Sequence, residues 1–312
     1  MEALARMLQA GGKRLRPLFC YWGHRAAGEA GGPGIVRAGS AVELLHMSAL
    51  IHDDVIDRSE LRRGQATVFR DLGDLEEDPE RAERFGRSAA ILAGDLAAAL
   101  ADRLLAGAEF PAERVLAAFA HFNRMRVQAV SGEFLDLLRA RRGNVDEAGA
   151  RQVATLKSGS YSVVGPLLIG ASLGGAGPQV IEALERYGGP LGEAFQLRDD
   201  VLGTFGDPAV TGKDRDTDIR EGKRTALVAK AWEMGSAESQ SMMTERLGRP
   251  GLSSREVEDV REAFRSSGAL AETLGLIDGL ARQAKDALDG AIPAEAAEAL
   301  LRMADLVVLR DS

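Results

Sequence analysis

The chain has a single cysteine, Cys20, in 312 residues, so no intrachain disulfide can form and a reducing compartment is expected. Aromatic residues are scarce at 5%, and no run alternates β-branched with polar side chains as a half-buried strand would. Positive charge is not in excess. The formal net charge is −8, which argues against a protein that grips nucleic acid through its phosphates. The opening stretch, "MEALARMLQAGGKRLRP", carries charge where a signal peptide needs its apolar segment. The longest uncharged run, "SGSYSVVGPLLIGASLGGAGPQVI" at 158–181, has the length of a bilayer span, but six glycines and two prolines break it. It reads as a buried helix leading into a turn. A soluble cytoplasmic protein with no membrane span is the expectation.

What is present is helix-forming. The chain is 45% hydrophobic and 28% charged, which provides for a large buried core, and alanine and leucine recur at helical spacing nearly throughout. Turn signals punctuate it: "GEAGGPG" at 28–34, "DLGDLEEDPERAERFG" at 71–86, "RRGN" at 141–144, "LGGAGP" at 173–178 and "GRPG" at 248–251. Roughly ten or more helices fit between them. No fixed-period repeat, low-complexity tract or composition shift marks a boundary, so 1–312 is expected to be one all-α domain, a helical bundle.

The densest charge is in "IHDDVIDRSELRRG" at 51–64, directly after the apolar "AVELLHMSALI". Asp53 and Asp57 stand at i and i+4, so a helix sets both carboxylates on one face, with Asp54 beside them. Like charges at a helix C-terminus repel each other and oppose the macrodipole, so a partner is needed. Oxygen-only donors on a rigid helix suit Mg²⁺. The bland alternative is a solvated helix end neutralised by Arg58, Arg62 and Arg63. A second pair shifts the balance: "FQLRDDVLGTFGD" at 195–207 sets Asp199 and Asp200 among Phe195, Leu197, Val201 and Leu202. Two aspartate pairs on separate buried helices read as facing walls of one metal site. With no histidine beside either pair, hard cations are favoured over zinc or redox iron.

The basic residues indicate what such metals would hold. Lys13 and Arg16 follow a glycine pair in "GGKRLRP", Arg62 and Arg63 follow the first cluster, and "TGKDRDTDIREGKRT" at 211–225 supplies Lys213, Lys223 and Arg224. Any one of these is ordinarily a solvated face. Carboxylates, magnesium and several separate cations together describe a site for diphosphates.

In the order "GGKRLRP", "HDDVIDRSELRRG", "FQLRDDVLG", "DIREGKRT", the sequence resembles the trans-isoprenyl diphosphate synthases, or polyprenyl synthetases, over essentially its whole length. The resemblance implies an all-helical fold around a central cavity, usually a homodimer, that condenses isopentenyl diphosphate with an allylic diphosphate. It implies Asp53, Asp57 and Asp199 as Mg²⁺ ligands, supported by Asp54 and Asp200. It implies Lys13, Arg16, His46 and Arg63 around the diphosphate of isopentenyl diphosphate. Arg62, Lys157, Lys213 and Lys223 match positions that hold the allylic diphosphate, and Ser158 and Gln196 line the allylic pocket. His46 precedes Asp53 by two helical turns and so shares its face; without the resemblance it reads as a core histidine. Product length in such enzymes depends on side chains upstream of the first aspartate. Ser48 and Ala49 are small where an aromatic stops growth at fifteen carbons, and Leu45 is the next bulky residue. A twenty-carbon product is expected, with farnesyl or longer diphosphates as the alternative.

Three features depart from the common pattern. Gly203 stands where many members carry a third aspartate, and Asp207 follows one turn later, a form shared by a subgroup of bacterial synthases. Ser158 replaces a common threonine, and fewer residues than usual precede Lys13, so the first helix is expected to be short. A class I terpene cyclase shares the aspartate-rich helices and the Asp199, Gly203, Asp207 spacing, but its middle ligand needs a hydroxyl. It also has no need of a second diphosphate site. A non-catalytic partner subunit would tend to lose aspartates, and both clusters here are intact.

Overall fold

The structure is a computed structural model and describes residues 2–62, 64–143, 145–207, 215–288 and 290–308. It is helical almost throughout. Helices α1 (Glu2–Gln9), α2 (Leu15–Ala26) and α3 (Pro33–Ile56) precede a two-residue hairpin, β1 (Leu61–Arg62) and β2 (Gln65–Ala66), with Arg62 opposite Gln65. The chain continues through α4 (Val68–Gly73), α5 (Pro79–Ala106), α6 (Ala112–Arg142) and α7 (Glu147–Ala154). A π-helical stretch, Thr155–Val164, leads into α8 (Gly165–Leu173) and α9 (Pro178–Phe205). After α9 come α10 (Thr217–Glu221), α11 (Ala226–Met234), α12 (Ala237–Arg246), α13 (Ser254–Ser266), α14 (Ala269–Asp286) and α15 (Ala294–Val308).

Local chemistry sets the boundaries. Pro33 begins α3 at a position where its missing N–H costs nothing, and Arg58 in the left-handed region (φ +53°) stops the chain continuing beyond it. Asp78 and Asp146 cap α5 and α7 by accepting from the N–H of Arg81 and of Gly149. Ser253 and Glu256 form a reciprocal capping box on α13.

The tightest packing pairs α3 with α5, α2 with α8, and α9 with both the π-helical stretch and α14. Ala90, Gly94, Ala97 and Ala101 form a buried stripe of small residues along α5, which lets α3 approach closely. One core gathers Phe19, Leu167, Leu184, Tyr187 and Leu191, where the buried Tyr187 hydroxyl donates to the Leu300 carbonyl at 2.7 Å. Another joins α3, α5, α6 and α8 through Val42, Leu45, Leu105, Phe122, Met125 and Ile169.

Residues 158–181 behave as the sequence suggests: every residue of α8 is buried, and a turn follows at 174–177. Among the described residues, α3 alone is long and apolar enough to cross a membrane, and two thirds of its most apolar stretch is buried inside the protein.

Candidate active site

Helix α3 delivers its carboxylates in its last turn. Asp53 is partly exposed, Asp54 is buried and Asp57 caps the helix. The hairpin returns Arg62 against them: Nε donates to Asp54 Oδ1 at 2.7 Å and Nη2 to Asp53 Oδ2 at 3.1 Å. Burial opposes the Arg62 charge, but Asp54, Asp53 and Asp57 outweigh it and hold the guanidinium above its ordinary value. Arg62 thus braces the first cluster. Asp57 has no such brace, and burial, followed by the charge on Asp53, pushes its carboxyl up to about 7.

The π-helical stretch brings a second cation to Asp53. Its backbone lies close against α6 and α9 because glycines face it on both sides. A Cβ on Gly132 would overlap the Lys157 backbone, and one on Gly159 would meet the Gly192 carbonyl carbon at 2.9 Å. Lys157 Nζ then lies 3.7 Å from Asp53 Oδ1, 2.7 Å from Glu133 Oε2 and 3.1 Å from Asp136 Oδ2. The same stretch carries half-buried Ser158, buried Tyr161 and buried Ser162.

Arg16 and His46 meet beside it. Arg16 Nη1 lies 3.1 Å from His46 Nε2, and Nη2 donates to Ser162 Oγ at 2.7 Å. An arginine can only donate, so His46 accepts at Nε2 and carries its proton at Nδ1, which faces the Tyr161 hydroxyl. The Arg16 guanidinium stacks 4.6 Å from the Tyr161 ring centre and 5.9 Å from that of Phe195. Lys13 is exposed at the start of this region, in the turn before α2.

On α9, Asp199 and Asp200 are half-buried, and Gln196 donates to Asp200 Oδ1 at 2.7 Å. Burial, then the charge on Asp218, holds the Asp200 carboxyl well above the usual range. Lys223 stands between the two clusters electrostatically. Its Nζ pairs with Asp218 Oδ1 at 3.1 Å and Glu221 Oε2 at 3.0 Å, and its charge acts on both Asp57 and Asp200. Asp207 lies past the end of α9 and is exposed. Arg63 and Lys213 fall outside the described residues.

These donors fit a hard divalent cation. Asp53 and Asp57 offer oxygen only, Asp57 is destabilised by burial and by its neighbour, and a cation between them would relieve both causes. Among the described residues no three histidine, cysteine or acidic side chains form a ready-made metal cage, and the three carboxylates that converge near Lys157 enclose its ammonium instead. Mg²⁺ ordinarily takes one or two carboxylates and completes its shell with water and substrate phosphate.

The sequence profile of the polyprenyl synthetase family ("Polyprenyl synthetase") matches residues 1–266. The chain belongs to the polyprenyl synthetase family. Its relatives within that family include the geranylgeranyl diphosphate synthase of Sulfolobus acidocaldarius, 35% identical over 82% of this chain and 74% of the relative. Another is the geranylfarnesyl diphosphate synthase of Aeropyrum pernix, 33% identical over 99% of this chain and 93% of that one. In three dimensions this polyprenyl synthetase is similar to the geranylgeranyl pyrophosphate synthase of Corynebacterium glutamicum, crystallised with isoprenyl diphosphate and magnesium. The TM-score is 0.93 at 35% identity, covering 99% of this chain and 90% of that one.

Several residues of this candidate site carry little signal in the sequence. Glu133 and Asp136 stand three apart on α6 within "GEFLDLL", a same-face acidic pair that could have been noticed. Tyr161 gave no signal of its own. Asp218 and Glu221 sit inside a motif whose lysines are its clearest signal.

Proposed function

We propose that this protein is a chain-elongating trans-prenyltransferase that condenses isopentenyl diphosphate with an allylic diphosphate, with geranylgeranyl diphosphate as its main product. The observation that carries the reading is the arrangement of cations around two aspartate pairs. Lys157 lies on Asp53, Lys223 acts on both Asp57 and Asp200, and Arg16 with His46 forms a separate basic group. Two diphosphates need two such places.

Asp53 and Asp57 on one wall and Asp199 on the other would hold the metal, which we take to be Mg²⁺. When bound, it supplies charge that neutralises the allylic diphosphate as a leaving group. Lys157 and Lys223, with Arg62 and Lys213, hold that diphosphate and stabilise the negative charge that grows as the carbon–oxygen bond ionises. Arg16, oriented by His46, acts with Lys13 and Arg63 to hold isopentenyl diphosphate so that its double bond attacks the allylic cation. Arginine suits this second role, because its planar fork matches phosphate oxygens. Loss of a proton to the released diphosphate completes the addition of one five-carbon unit. Ser158 and Gln196 line the allylic pocket.

The growing tail would run up α3 from Asp53. Ser48 and Ala49 are small and leave room for it, while buried Leu45 packs in one cluster with Phe122 and Met125 of α6. This cluster forms the proposed floor. The chain is further proposed to act as one domain over 1–312, since α14 packs on α9 and α15 on α2 and α9. A homodimer is favoured by the exposed apolar stripe of Val127, Val130, Phe134 and Leu137 on α6, with Leu92 and Leu96 on α5. Buried, unpaired Cys20 agrees with a cytoplasmic setting.

Radiolabelled isopentenyl diphosphate supplied with dimethylallyl, geranyl or farnesyl diphosphate tests the reading. Products sized after dephosphorylation should converge on twenty carbons. A cyclic hydrocarbon made from one substrate, or no incorporation with any primer, would contradict it.

A further inference from the structure

If the metal reading above holds, Asp199 is the ligand on α9, and the position one turn further on is Gly203, which has no side chain. Another element fills that place. A Cβ on Gly203 would overlap Asp218 Oδ2 and lie 3.0 Å from its Cγ. Asp218 belongs to the short α10, and its side chain is only 18% exposed. Its Oδ1 pairs with Lys223 Nζ at 3.1 Å, which leaves Oδ2 as the oxygen turned to Gly203.

The placement is built rather than incidental. Arg261 of α13 is 3% exposed and ties the two segments together. Its Nε donates to the Thr204 carbonyl at 2.7 Å and its Nη2 to the Arg215 carbonyl at 3.0 Å, while the guanidinium also pairs with Asp216. Arg220 holds Asp216 from the other side at 3.2 Å. One buried side chain therefore links the residue after Gly203 to the residues just before Asp218. Losing any of these carbonyl or carboxylate partners would leave a buried charge unpaired, so the geometry is held firmly.

We propose that Asp218 supplies the carboxylate that position 203 lacks, beside Asp199 on the metal-facing side of α9, and that Arg261 is its positioning residue. Asp207 does not take this role. The second acidic wall is thus assembled from two elements instead of one helix. The inference rests on the metal reading and deepens it.

Metal binding is the readout, separate from turnover. Mn²⁺ is titrated into the full-length protein in the presence of inorganic diphosphate, and free Mn²⁺ is followed by electron paramagnetic resonance. Asp218→Asn, isosteric but neutral, should weaken Mn²⁺ binding about tenfold or more, the scale on which supporting groups of metal sites act. Arg261→Lys should weaken it in the same direction. The double variant Gly203→Asp/Asp218→Ala returns a carboxylate to the same volume from α9, and should recover affinity to within about threefold of wild type. The inference is overturned if Asp218→Asn binds Mn²⁺ as wild type does while Asp199→Ala does not. It is equally overturned if Asp218→Ala loses binding and the double variant fails to regain it, because Asp218 would then act only through Lys223. If Asp199→Ala also binds normally, the metal reading falls and takes this inference with it.

Discussion

Lys157→Met withdraws one ammonium from among three carboxylates. In the wild type its Nζ lies 2.7, 3.1 and 3.7 Å from Glu133, Asp136 and Asp53, and these four side chains are between 21% and 26% exposed. At an effective dielectric constant near 20, each contact is worth ~4–6 kcal/mol before screening. Breaking a buried pair costs ~3–5 kcal/mol and an exposed one ~0–1 kcal/mol, so quarter-exposed groups point to a loss of ~2–3 kcal/mol at neutral pH.

The sign with pH follows from the same groups. Burial alone would lower the Lys157 ammonium, but Asp53, Asp136 and Glu133 outweigh it and raise it above the ordinary lysine value. A raised cation contributes fully below its unfolded value and is lost only as pH climbs through the folded one, so wild type keeps this contribution across the acid and neutral range. In the variant the penalty comes from unpaired carboxylates. Glu133 already sits above its ordinary value through burial, so protonation at lower pH relieves the penalty. Urea denaturation at about pH 8 and about pH 5 checks this: the midpoint should fall clearly at the higher pH and less at the lower, with an unchanged slope. Turnover should drop by about two orders of magnitude, as for removal of one preorganised electrostatic group. Unchanged midpoints at both pH values, with near-wild-type turnover, would refute the cation's role.

Ser48→Phe should shorten the product, because one helical turn rises about 5.4 Å, close to one isoprene unit, and the ring would fill the channel just above Asp53; an unchanged product distribution would place the floor on another helix. His46→Ala or Lys13→Ala should chiefly raise KM for isopentenyl diphosphate, and Lys213→Ala chiefly that for the allylic primer. Equal effects on both substrates in every variant would indicate one shared anion site. Burial pushes the Cys20 thiol up to about 12, so native protein at about pH 8 should resist iodoacetamide and react only when unfolded. Rapid labelling of the native protein would contradict that burial.

Much of the candidate site was legible because its strongest signals are short-range. Asp53 and Asp57 share a helix face by spacing alone, Asp199 and Asp200 stand adjacent on an apolar background, and "GGKRLRP" and "DIREGKRT" carry their cations in plain view. Glu133 and Asp136 show in the sequence only as a same-face acidic pair, with nothing to tie them to the site. Their partner, Lys157, is contributed by a different element, and only the glycine contacts of the π-helical stretch bring that backbone close. The period of 155–164 reads as ordinary helix, and its π geometry depends on packing against α6 and α9. Arg62 illustrates the limit in another way. Its type suits a diphosphate, and only the register of the hairpin reveals its grip on Asp53 and Asp54. Gly203 reads in sequence as a loss, with Asp207 the nearest aspartate downstream; that Asp218 lies beside it follows from packing fastened by Arg261, far away in sequence. Apolar periodicity foretold the all-α fold, while the hairpin at 61–66 is too short for any alternation to mark it.

The central claim is that both aspartate clusters serve one metal-dependent condensation. Its most direct measurement is incorporation of labelled isopentenyl diphosphate onto an allylic primer by wild type, Asp53→Ala and Asp199→Ala, each with Mg²⁺ and after chelation. Wild type should be active only with the metal, and each variant should lose about a hundredfold or more at saturating Mg²⁺. Chelator-resistant incorporation by wild type, or near-wild-type rates in both variants, would contradict the claim.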